Sequence, residues 1–104
     1  MSRPANPLRG ECAFAIAGQH YTLRPSFENL VAIEEEIGSL FALVERASDG
    51  SLALREVTAL VWHCLEADPR PAREAVGEAI LEAGLVAALG PVRTILGQVL
   101  QGRS

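Results

Sequence analysis

The sequence predicts an α+β domain, mainly α, in which an N-terminal β-hairpin packs on a bundle of four to five short helices. Three observations carry that expectation. Alanine and leucine dominate the composition while aromatics make up 5%, and both residues lose little freedom in a helix. One early stretch, residues 11–24, alternates apolar and small or polar residues with a period of two, the mark of a half-buried strand pair. Beyond it, apolar residues recur at three- and four-residue spacing between serine, glycine and proline punctuation, as capped amphipathic helices do.

The 104 residues suit a single domain, expected over residues 10–101, behind a flexible tail at 1–9 that holds Pro4 and Pro7 and shows no periodicity. In the hairpin, Cys12, Phe14 and Ile16 alternate, then Tyr21 and Leu23. A two-residue loop at Gly18-Gln19 would pair Ala17 with His20, Ile16 with Tyr21 and Phe14 with Leu23. That register puts every large apolar residue on one face. An isolated hairpin is only marginally stable, so this face must pack on helices.

Pro25 ends the second strand. Ser26 caps a helix over about 26–37, with Glu28 in its first turn and Gly38 beyond its end. Phe27, Leu30, Val31, Ile33 and Ile37 form its apolar arc, and Glu34 falls inside that arc. Ser39 caps a helix at about 39–47, with Leu40, Leu43, Val44 and Ala47 on one face, and Ser48-Asp49-Gly50 is a turn. Ser51 caps a third helix, about 52–66. Its inner side holds Leu54, Val57, Leu60, Val61, Cys64 and Leu65; Arg55, Glu56, Ala59, His63 and Glu66 face solvent, and Trp62 lies at the boundary. Asp68-Pro69-Arg70-Pro71 breaks the chain, and Pro71 opens a fourth helix at 71–83 that Gly84 closes. The last segment, 85–100, carries Leu85, Leu89, Val92, Leu96 and Val99 as a stripe, and Gly90-Pro91 is expected to divide it into a short turn and a new start.

The formal charge is −4, from 9 basic and 13 acidic residues; the arginines are scattered and lysine is absent. Proteins that neutralise phosphates gather basic residues on one face, so nucleic acid is not an expected partner. Two cysteines, Cys12 and Cys64, are too few for a disulfide scaffold, and no secretory leader precedes them. No run reaches the ~20 apolar residues of a membrane span. The expectation is a soluble, cytoplasmic protein with reduced thiols and no membrane partner.

Candidate chemistry is thin. His63-Cys64 sit about 100° apart on a helix and cannot chelate one ion well. His20 has no acid or nucleophile nearby in sequence. Glu34, Glu35 and Glu36 fan around a helix instead of converging. No catalytic residue, metal ligand or cofactor site is expected. Glu34 and Trp62 are the residues with a second reading. A carboxylate within an apolar arc needs a partner, an arginine or helix N-terminal amides, or else meets another protein. Trp62 suits packing at the core edge or an interface anchor. With Tyr21 on the hairpin and Leu96 and Val99 on the last stripe, Glu34 and Trp62 make up the partner-binding candidates.

The chain resembles the short proteins encoded in the tail-gene region of gene transfer agents and their phage relatives, a family classed among phage tail assembly chaperones and also described as tail-tube related. Asn6-Pro7-Leu8-Arg9-Gly10-Glu11 is similar to the family's opening and Tyr21-Thr22-Leu23-Arg24 to its second strand. Phe27 with Leu30, then Glu34 ahead of Gly38-Ser39-Leu40, resembles its first helix and glycine turn. Leu54 through Trp62, Val76-Gly77 and Ala83-Gly84-Leu85 resemble the later helices. The resemblance implies a non-enzymatic assembly role: binding tail tube or tape-measure subunits before assembly, with a structural tail component as the alternative. Whether the chain forms a homo-oligomer stays open.

Overall fold

A computed structural model describes residues 11–101, and the tail expected at 1–9 lies outside the described residues. Strands β1 (Cys12–Ile16) and β2 (Gln19–Leu23) form an antiparallel hairpin, and five helices follow: α1 (Phe27–Ile37), α2 (Leu40–Asp49), α3 (Leu54–Cys64), α4 (Arg73–Ala83) and α5 (Leu85–Gln101). The predicted class, a hairpin on a helical bundle, is the observed one.

The hairpin register differs by two residues from the expected one: Phe14 pairs with Tyr21 and Ile16 with Gln19. The loop is Ala17-Gly18, with φ of 50° and 81°. Two consecutive positive φ values define the tight turn whose twist matches that of the strands. A slip of two leaves every side chain on its original face. Phe14, Ile16 and Leu23 are buried as expected, and alternation alone could not separate the two registers.

Helix α1 has the expected bounds, with Ser26 Oγ accepting from Asn29 N–H at 3.2 Å. Helix α2 runs on to Asp49, because Gly50 adopts the left-handed conformation that closes a helix. Helix α3 starts later than Ser51 suggested. Ala53 is its N-cap, and the Ala53 N–H donates to Glu56 Oε1 at 2.9 Å, so the cap reaches back from inside the helix. It stops at Cys64 because Leu65 bridges to Leu23, with Arg24 N–H donating to the Cys64 carbonyl at 2.7 Å. Helix α4 begins at Arg73, two residues past Pro71.

Helix α5 continues through Pro91 without the expected break. A proline inside a helix forfeits one donor and crowds the residue before it. Here that residue is Gly90, which has no Cβ to clash, and Thr94 Oγ1 donates to the Gly90 carbonyl at 3.1 Å.

The core gathers around α3, which packs against α1, α4 and α5, while β1 lies on α4 and α5 and α2 lies on α5. Leu23, Ile33, Leu43, Val57, Leu60, Val61, Val76, Ile80, Val92 and Ile95 are among its fully enclosed members. Being central, α3 is enclosed nearly all round: Glu56 and Ala59, expected in solvent, are buried, and the His63 side chain is only 11% exposed. Among the described residues no single helix is long and apolar enough to cross a membrane; α4 and α5 pass that test together but are bent by 114°.

Candidate functional site

Two surfaces hold three of the five predicted partner-binding residues, Glu34, Val99 and Trp62. The first lies between α2 and α5. Glu34 is exposed, and its Oε2 accepts from the Leu40 N–H at 3.0 Å. A carboxylate at a helix N-terminus satisfies an orphan donor and meets the positive end of the helix dipole. Ser39 Oγ faces the Ala42 N–H of the same turn at 3.5 Å. Glu34 therefore joins α1 to α2 and forms one wall of a cleft with Leu40, Phe41, Val44, Val99 and Leu100. Phe41 is 74% exposed and Leu100 53%. Phe27 and Val31 precede Glu34 by seven and three residues on one stripe of α1, and both are exposed. Val99 is half-buried in this cleft, whereas Leu96 is not part of its lining and is buried in the core.

The second surface surrounds Trp62. Its ring is half-buried, its Nε1–H donates to the Pro71 carbonyl at 2.9 Å, and the guanidinium groups of Arg70 and Arg73 stand 4.8 and 4.4 Å from the ring centroid. His63 meets it edge-on at 5.0 Å. Cation–π stacking of this kind fixes all three side chains. Arg70 also donates to the carbonyls of Leu65 at 3.3 Å and His63 at 3.0 Å and to Asn29 Oδ1 at 3.2 Å, so it satisfies the open end of α3. Arg73 donates to both oxygens of Glu36 at 2.6 Å, and His63 Nε2 lies 2.8 Å from Glu36 Oε1. The Arg73 guanidinium and then His63 hold the Glu36 carboxyl down at about 2. The arrangement ties α1, α3 and α4 together, with Trp62 as its hub.

Tyr21 stands apart from both surfaces, half-buried on the hairpin, with its hydroxyl donating to Gln19 Oε1 at 2.9 Å. The structure therefore brings Glu34 and Val99 together and leaves Tyr21, Trp62 and Leu96 elsewhere. Sequence reasoning missed Phe41 and Leu100, whose signal was an apolar residue just outside a helix's inner face. It also missed Glu36, His63 and Arg73 as a group, since they come from three helices.

Among the described residues no three His, Cys, Asp or Glu side chains gather as a metal-holding group. Burial pushes the Cys12 thiol up to about 11 and the Cys64 thiol up to about 12. Neither is poised as a thiolate nucleophile at neutral pH.

A family model described as phage tail tube protein, GTA-gp10, matches residues 9–102. No match was found among curated proteins or among solved structures.

Proposed function

The chain belongs to the GTA-gp10 phage tail tube protein family, and from that premise we propose that it is a non-enzymatic chaperone of gene transfer agent tail assembly. In this reading it binds a tail tube or tape-measure subunit in the cytoplasm before that subunit is built in. The family match, spanning residues 9–102, carries the tail association. The α2–α5 cleft supports a binding role. An 11.1 kDa chain with Phe41 at 74% and Phe27 at 84% exposure leaves large apolar rings uncovered, as partner-binding surfaces do. The cleft suits the apolar face of a partner helix, with Phe41 and Leu100 as its rims.

The second reading is a structural component of the tail tube, which the family's own description favours. One experiment separates the two. The tagged protein is captured from particle-producing cells, and both the bound fraction and purified particles are analysed by mass spectrometry. A tail protein in the bound fraction with this chain missing from particles supports the chaperone. Stoichiometric presence in particles makes it a structural subunit. No tail protein in either fraction sinks both.

A further inference from the structure

The two edges of the hairpin differ. With a two-residue loop, the residues flanking the loop exchange both backbone bonds, and the pattern alternates from there. Ile16, Phe14 and Cys12 thus bond to Gln19, Tyr21 and Leu23, and the N–H and C=O groups of Ala13 and Ala15 point away from β2. On β2 the outward groups at the C-terminal end are used, the Thr22 carbonyl accepting from Glu66 N–H at 2.9 Å and Arg24 N–H donating to the Cys64 carbonyl at 2.7 Å, while His20, next to the turn, has no such bond among the described residues. On β1 no backbone bond from the described residues reaches Ala13 or Ala15, and both are exposed. Their methyl side chains leave room for another strand at ~4.8 Å.

Helix α4 indicates what chemistry would fit there. Ile16 and Ala17, at the end of β1, form a cleft with Ala75, Glu78, Ala79 and Glu82 of α4. No β2 residue lines it, and α4 packs on β1. Glu74, Glu78 and Glu82 are four residues apart and share one stripe. All three are exposed, and none has an ion-pair partner among the described residues. Like charges at this spacing repel one another, and a cationic partner would relieve that repulsion. The one arginine of α4, Arg73, is held by Glu36.

We infer that the outer edge of β1 is a strand-addition site for an extended, basic segment of a partner protein. The segment's backbone pairs with Ala13 and Ala15, and its Lys or Arg side chains lie over Glu78 and Glu82. Backbone bonds supply affinity and the carboxylates select charge. A second copy of this chain is a poor occupant, since it carries −4 and brings the same acidic stripe. This surface is separate from the α2–α5 cleft. Peptide binding to the purified protein reads the edge, while particle composition reads the tail role.

The test is fluorescence anisotropy of the full chain with a labelled peptide of about eight residues alternating valine and lysine, long enough to span the edge, and a second peptide with glutamate for lysine. The lysine peptide should bind about tenfold tighter or more, and Glu78→Lys with Glu82→Lys should weaken it about tenfold. Ala15→Pro removes an outward donor and no β1–β2 bond, and should weaken it to a similar degree. Equal affinity for the two peptides, or undiminished binding in the α4 variant, overturns the proposal; because both α4 positions are exposed, that variant stays informative if Ala15→Pro fails to fold. Undiminished binding in a folded Ala15→Pro variant overturns it as well. So does a dimer seen by sedimentation that Ala15→Pro dissolves, which would make a second copy the occupant.

Discussion

Glu36 shows how much one exposed-looking glutamate can do. It receives two bonds from Arg73 and lies against His63, which holds its carboxyl down from 4.5 to about 2. A depressed carboxyl stabilises the folded chain above its ordinary value and loses that contribution as pH falls through the folded one. With its side chain 33% exposed, solvent screening leaves an effect well below the full shift. Glu36→Gln is expected to lower unfolding free energy by about 1 kcal/mol at pH 7. Urea titrations from pH 7 down should show the gap between variant and wild type constant to about pH 4.5 and closing toward pH 2. Glu34 works on a smaller scale. Its one backbone bond caps α2, so Glu34→Leu should cost about 1 kcal/mol, while Glu34→Gln, which keeps an acceptor, should cost less. Thermal melts of the pair read the difference. The sequence shows that Glu34 needs a partner; it does not show that the partner is the Leu40 amide, because that depends on how sharply Gly38, at φ 104°, turns the chain.

Among the elements, the hairpin is strained at its turn and α5 tolerates its proline. Ala17 sits at φ 50°, a conformation that asparagine and glycine accept more readily than alanine. Ala17→Asn creates the Asn-Gly pair this turn prefers and should raise stability by about 0.5 kcal/mol, measured by chemical denaturation. A loss of stability would mean that the turn is not of this type. The helices differ in how plainly they can be read. α1 and α2 announce their starts through Ser26 and Ser39, both observed caps. α3 does not, because its cap is Glu56 reaching back to Ala53, and Ser51 precedes it as a decoy. Its solvent side was equally hidden. Glu56, Ala59 and His63 form a polar or small stripe by pattern, yet neighbouring segments cover it, with Arg46 pairing to Glu56 and Glu36 lying against His63.

For the whole molecule, the question is which uncovered surface meets the tail partner. Phe41 and Leu100 lie on the rims of the cleft and contribute little to the core. Phe41→Asp with Leu100→Asp should abolish capture of the tail protein while changing unfolding free energy by less than about 1 kcal/mol. Retained capture would move the binding surface elsewhere, and a collapse of stability would make the rings structural. The acidic stripe of α4 and the open β1 edge form a second face, and variants of the two faces should act independently, as separated sites do.

The sequence by itself determined the class of fold, the order of its elements, the buried face of the hairpin and most helix starts. These follow from short-range physics: side-chain period, capping residues and the fixed φ of proline. The tertiary structure alone decided the two-residue register of the hairpin, the unbroken course of α5, the enclosure of α3 and the partners of Glu34, Glu36 and Trp62. Some of these depend on groups far apart in the chain: Arg73 meets Glu36 across 37 residues, and Asn29 meets Arg70 across 41. Others are local, such as the Ala17-Gly18 turn and the Leu40 amide six residues from Glu34, but rest on backbone angles that side-chain period does not record. Periodicity records which way a side chain points from its own helix or strand, and only the packed chain determines what it meets there.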